Sequence, residues 1–195
     1  MPAHTRGGGR VEVTLPPWVD EVVDWERCYP TDEDRMRVAI ALSRENVLRG
    51  AGGPFAAGVF ESATGAVVAV GVNSVVRLNN SVLHGEIVAL MLAQRRVGSF
   101  SLGPPPGGPL RELVTSCEPC AMCLGATLWS GVGRLVYGAV REDATALGFD
   151  EGPVFPESYA YLERRGVRIE RSPLRAEAAA VLELYRDTGG PVYNR

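Results

Sequence analysis

The chain has 195 residues, of which 46% are hydrophobic and 22% charged, with a formal net charge of −3. That length suits one domain with decorated ends and a sizeable core, and the charge speaks against a phosphate-backbone partner, which usually needs a basic surface. The longest apolar runs, such as AVVAVGV at 66–72, are too short to cross a bilayer and the start of the chain is charged and Gly-rich, so a cytoplasmic protein without a membrane partner is expected.

Residues 1–30 read as an extension. HTRGGGR leads to Pro16-Pro17, so the first dozen residues should be mobile, while Trp18, Val22, Val23 and Trp25 should pack onto the domain. Thr31 followed by Asp32, Glu33 and Asp34 is an N-cap with an acidic first turn, and Met36, Ile40 and Val47 mark one face of a helix ending near Gly50. FAAGVF, a Thr64-Gly65 turn and AVVAVGV predict a β-hairpin that delivers Asn73 at its end. A loop at 73–83 reaches His84, and Ile87, Leu90, Met91 and Ala93 continue an apolar helix to Gly98. The Pro/Gly stretch 103–109 is a surface loop. A strand at 112–116, a helix opened by Pro119 and the strand RLVYGA at 134–139 follow. Residues 140–155 read as a structured loop, then come a helix near 156–165, a short strand at 166–171 and a helix at 173–187. This alternation predicts an α/β fold, a three-layer α/β/α sandwich on a mixed five-stranded sheet. The domain proper should span 31–187, with 188–195 as a tail.

Three of the four cysteines crowd residues 117–123, and Cys120-x-x-Cys123 directly follows Pro119. Residues three apart share a helix face, so two sulfurs can meet one metal ion. In an intracellular protein that spacing favours metal or redox chemistry over disulfides, leaving Cys28 and Cys117 as spare thiols. His84-Gly85-Glu86 stands upstream, whereas the other histidine, His4, lies in the Gly-rich leader and is a poor ligand candidate. One His and two Cys suit a single Zn2+ whose fourth place is open to water, acidified to a pKa of roughly 7. Positions i and i+2 point about 200° apart on a helix, so Glu86 can face the same ion only if the helix begins at His84. It would then carry protons without ligating. Cys-x-x-Cys alone more often marks a structural or redox site, and a structural one would need a fourth ligand, for which Cys117 is the nearby candidate. The joint pattern H-x-E with P-C-x-x-C is a signature of zinc nucleobase deaminases.

On TSCEPCAMCLGA, Trp129, Leu135-Val136-Tyr137-Gly138 and Gly148-Phe149-Asp150-Glu151, the chain resembles the cytidine-deaminase-like superfamily, in its branch of guanine and tRNA adenosine deaminases. The likeness covers roughly residues 31–195. It implies His84, Cys120 and Cys123 as zinc ligands and Glu86 as proton shuttle. It also implies Asn73 and Phe55 as base-binding residues, Glu151 as a catalytic carboxylate that recognises guanine, Tyr193 as an aromatic closing the pocket, and a homodimer. Gly85 departs from the Ala common in relatives, a change expected to touch only helix rigidity. On residue type alone, Asn73 could be a turn residue, Glu151 a solvated carboxylate and Phe55 plain core, with Trp129 packing and Glu163 to Arg165 a solvated face.

Deamination of free guanine to xanthine is the expected function. The same chemistry on cytosine, a nucleoside or an aminated triazine stays open, as does a tRNA adenosine deaminase, which must receive a flipped base. A zinc-stabilised interaction module is the non-enzymatic alternative.

Overall fold

The computed structural model describes residues 9–193. Residues 1–8, with His4 and the first part of the Gly-rich leader, and residues 194–195 of the tail lie outside them. In the extension, a single turn α1 (Val19–Val22) follows Trp18, and Trp18, Val19 and Val23 are buried against the core. The Arg49 guanidinium lies over the Trp18 ring at 5.5 Å and pairs with Glu21 at 2.8 Å.

Helix α2 (Asp32–Leu48) starts where its cap demands: Asp34 N donates to Thr31 Oγ1 at 3.1 Å, and Thr31 N donates back to the Asp34 carboxylate. This reciprocal box satisfies two helix-end donors, and the acidic first turn suits the positive helix end. Met36, Ile40 and Val47 are buried, as their spacing predicts. Strands β1 (Ala56–Glu61) and β2 (Val67–Val72) form the antiparallel hairpin. The expected loop after it contains a short helix α3 (Val75–Leu78), one turn long and therefore without a readable period.

Helix α4 (Gly85–Val97) ends at Gly98, in the left-handed region at φ 65°. Its buried face is Val88, Ala89, Leu90 and Ala93; Met91, expected on that face, is 44% exposed. Strand β3 (Arg111–Cys117), helix α5 (Ala121–Ser130) and strand β4 (Arg134–Ala139) follow. Here Pro119 is not the first helical residue: Cys120 is the cap, extended at φ −65° and ψ 171°, and Pro119 precedes it. The 140–155 stretch opens with α6 (Arg141–Thr145), and α7 (Pro156–Arg164), β5 (Arg168–Arg171) and α8 (Arg175–Asp187) complete the chain.

The sheet order is β2-β1-β3-β4-β5, antiparallel around β1 and parallel from β3 to β5. It is the mixed five-stranded sheet the sequence predicts. Alternation splits the core into two layers: Val114 and Val136 face α2 and α8, while Leu113 and Leu135 face α4 and α5. Each fully buried aliphatic side chain contributes about 1.5–3 kcal/mol relative to exposure. The edge strand β5 reads Arg-Ile-Glu-Arg and is mostly exposed, a charged edge that discourages further strand pairing.

This topology sets the location of the site. Because β1 runs against both β2 and β3, its start meets the ends of both, with Ala56 beside Val72 and Ala57 beside Thr115. Phe55, Asn73 and Glu118 therefore emerge at one end of the sheet.

Candidate active site

At that end the first residues of α4 and α5 converge. His84 caps α4 and Cys120 caps α5, each with an extended backbone, and Cys123 sits one turn into α5. Their donor atoms lie within 4.8 Å of one another, with Cys120 Sγ 3.5 Å from His84 Nδ1. These three could hold one metal ion, and they form the one such group among the described residues. One imidazole and two sulfurs fit zinc, leaving a coordination place for water. Cys117 does not complete a fourth corner: its Sγ faces the Val140 carbonyl oxygen at 3.9 Å, away from the group. All four cysteines are free, with Cys28 exposed.

Gly85 has a stricter reason than helix rigidity. A Cβ there would come within 2.9 Å of the Ala56 Cα, so the missing side chain lets α4 rest against β1 and hold His84 in place. Because α4 begins immediately after His84, Glu86 can share its side of the helix start. Glu86 is 6% exposed and its carboxylate engages the Cys123 thiol.

The titratable groups influence one another strongly. Hydrogen bonding from Cys123, then from His84, lowers the Cys120 thiol to about 4 against the cost of burial. Cys123, bonded to Cys120 and buried, is pushed well up. Burial disfavours the charged form of His84, yet the Cys120 bond and the charges of Glu86 and Cys120 outweigh it and raise its pKa. A bound dication would reverse the directions for His84 and Cys123, holding a neutral imidazole and two thiolates. Burial, then the Cys120 charge, raises Glu86, and the same two causes push Glu151 up to about 7. Two carboxyls with shifted protonation beside a metal-competent triad are what acid–base catalysis requires.

Glu151 is held at the site through its backbone, since its carbonyl accepts from Ala121 N at 2.9 Å, between the two cysteines. Asn73 is fully buried; its Oδ1 accepts weakly from Val75 N at 3.4 Å, and its Nδ2 has no partner among the described residues. Asn46 fixes the Asn73 carbonyl at 3.0 Å. Phe55 is half-buried and meets Phe149 edge to face at 5.1 Å, so it is both core and wall. Tyr193 covers the opening, 6.5 Å from the His84 ring and 5.2 Å from Phe149, and its buried hydroxyl has no partner among the described residues. Gly53 is its seat: a Cβ there would lie 2.2 Å from the phenol oxygen.

Sequence reasoning missed Phe149, Glu118 and Gly53 as site walls. Phe149 and Glu118 lie inside quoted motifs and so carried a signal, whereas Gly53 did not. Trp129 is not packed as expected but 81% exposed, whereas Glu163, Arg164 and Arg165 are solvated. The cavity enclosed by Phe55, His84, Glu86, Glu118, Cys120, Phe149, Glu151 and Tyr193 measures about 10 Å3. With the aromatic cover in this position there is room for at most a water. Larger hollows of about 420 and 510 Å3 lie on the outer surface around α7, without the donor triad. Chemistry rather than size marks the site.

Comparison with known proteins agrees with this geometry. Residues 30–139 match the cytidine and deoxycytidylate deaminase zinc-binding region. A guanine deaminase of Bacillus subtilis is 35% identical over 135 residues, covering 69% of this chain and 81% of its own. A tRNA-specific adenosine deaminase of Buchnera aphidicola is 31% identical over 116 residues, 60% of this chain and 70% of its own. The solved guanine deaminase of Nitrosomonas europaea superposes with a TM-score of 0.87 at 40% identity, covering 93% of this chain and 99% of that one. Another structure, a complex with 8-azaguanine, is 41% identical with a TM-score of 0.86, covering 91% and 98%. The chain thus belongs to the zinc-binding cytidine and deoxycytidylate deaminase family, whose members hydrolyse C–N bonds.

Proposed function

We propose that the protein deaminates free guanine, consuming water and releasing xanthine and ammonia. The observation that carries this reading is the convergence of His84, Cys120 and Cys123 within 4.8 Å, with buried Glu86 beside them. His84, Cys120 and Cys123 would hold zinc, which when bound supplies a Lewis acid that activates water near neutral pH. Glu86 passes one proton of the attacking water to ring nitrogen N3 and the second, from the hydroxyl added at C2, to the 2-amino group, which departs as ammonia as the C2 carbonyl forms. Such positioned transfer contributes about 10²–10⁴-fold.

Asn73 orients the base. With Oδ1 engaged by Val75 N, its free Nδ2 donates to an acceptor on the purine edge. Glu151 accepts from the N1-H and 2-amino donors, and a carboxyl poised at about 7 can also exchange a proton there. Phe55 and Phe149 flank the ring. Tyr193 closes behind it, excluding water and strengthening every polar contact inside.

A small base suits the net charge of −3 better than a tRNA loop does, because a phosphate backbone favours a basic surface. No helix of the described residues is long and apolar enough to cross a membrane, and a cytoplasmic setting fits the free cysteines. A homodimer would cover exposed apolar side chains such as Trp129 and Tyr161; sedimentation measures it. The experiment for the activity is ammonia release from guanine, cytosine, adenine, their nucleosides and an aminated triazine. Turnover confined to guanine supports the reading, and an inert guanine beside another active substrate overturns it.

A further inference from the structure

The loop between α6 and α7 brings Glu151 to the site, and two hydrogen bonds anchor it. On one side the Glu151 carbonyl accepts from Ala121 N at 2.9 Å; on the other, the Val154 carbonyl accepts from Arg141 Nη1 at 2.8 Å. Arg141 is itself held by its backbone, whose N donates to Glu118 Oε2 at 3.0 Å. The second oxygen of Glu118 accepts from the buried Tyr159 hydroxyl at 2.7 Å. Both carboxylate oxygens are thereby engaged, and Glu118 lies two residues before Cys120 and lines the site cavity. A continuous chain of bonds runs from Tyr159 through Glu118 and Arg141 to the far end of the Glu151 loop.

Apolar packing holds the two ends of the loop, where Phe149 and Val154 are buried, while a hollow of about 420 Å3 bounded by Glu118, Arg141, Val154 and Tyr159 lies beside the bonded chain. The loop is also bendable, since Gly148 and Gly152 flank Glu151 at φ 92° and 68°. Residues 150–153 between those packed ends are exposed or half-buried, so the hydrogen bonds on either side of them set where the carboxylate lies.

We propose that Arg141 is a positioning residue for guanine recognition, acting through the Val154 carbonyl to set Glu151 over the substrate, with Glu118 and Tyr159 fixing Arg141 relative to the Cys120 turn. This rests on the assignment of Glu151 to guanine recognition. Displacing a recognition group by about 1 Å can cost up to 10²-fold in rate, so removal of the guanidinium should act on turnover and ligand affinity rather than on metal content.

The test is a double-mutant cycle in full-length, zinc-loaded protein, with Arg141→Met, Glu151→Gln and the pair. It reads guanine kcat/KM, 8-azaguanine affinity by calorimetry and zinc per chain. Arg141→Met should lower kcat/KM and affinity by about 10- to 100-fold with zinc unchanged. In the Glu151→Gln background it should cost less than about 3-fold more, because both changes disable one contact. Equal factors in the two backgrounds, or no loss in Arg141→Met, overturn the proposal. Tyr159→Phe, which deletes one hydroxyl, carries the same cycle if Arg141→Met folds poorly: a smaller, non-additive loss supports the proposal, and an additive loss or none overturns it. If wild-type protein spares guanine and deaminates another base, the functional assignment fails separately, and the cycle run with that base still decides the role of Arg141.

Discussion

Strand β3 has buried carboxylates near both of its ends, and arginines answer the one at the start. Among the described residues Arg111 Nε and Ser62 Oγ there also lack partners, but no group of metal-competent donors stands beside them. At the start, fully buried Glu112 is bonded by Arg35 and, at 3.0 Å, by Arg134, whose guanidinium also meets Asp32 at 2.6 Å. Arg35 also donates to the carbonyls of Tyr29, Pro30 and Ser62, at 2.7, 3.1 and 3.0 Å. At the finish, Glu86 and Glu151 have raised pKa values, and Asn73 Nδ2 and the Tyr193 hydroxyl have no partner among the described residues. Buried polar groups that answer one another hold a fold together. Those left unanswered around a metal-competent triad are available to a substrate.

Substitutions at the two ends should therefore fail differently. The largest effect is expected from Cys120→Ser, which removes a thiolate held at about 4; zinc measured by atomic absorption and guanine turnover should be lost together. Retained zinc and activity would erase the distinction between the ends. Next, Glu112→Ala should cost about 3–5 kcal/mol in chemical denaturation, because it leaves Arg35 and Arg134 without their buried anion. Its folded fraction should still bind one zinc per chain, and a stability loss below 1 kcal/mol would show the network to be dispensable.

The smallest effect should come from Asp32→Asn. The Arg134 hydrogen bond holds Asp32 below its ordinary value of 3.8, so the unfolded chain binds its proton more readily and stability rises with pH. Its contribution is present above pH 3.8 and fades as pH falls through the lower folded value. Asp32 is partly exposed, so Asp32→Asn should cost less than about 1 kcal/mol at pH 7, a gap that narrows below pH 3.8. A gap independent of pH would contradict the assignment.

How much of this was legible in the sequence follows from the range of each interaction. The Thr31 cap, the β1–β2 hairpin, the RLVYGA strand and the paired motifs at His84 and Cys120 are local patterns, and each appears where expected. Arg35 and Glu112 are 77 residues apart and Tyr159 and Glu118 are 41 apart, distances at which no spacing rule operates. Gly53 matters only because the tail returns to it. Asn73 looks like a turn residue on composition; family likeness supplies the base-binding role proposed for it, and its buried amide nitrogen has no partner among the described residues. Helical spacing puts Met91, and residue type puts Trp129, on the wrong side, since the orientation of α4 and α5 depends on how they meet the sheet.

Glu86→Gln tests the central claim most directly, because it preserves shape and removes only the ability to carry a proton. In zinc-loaded protein the substitution should leave about one zinc per chain and reduce guanine deamination by about 10²–10⁴-fold. Undiminished turnover at full zinc content would contradict the account.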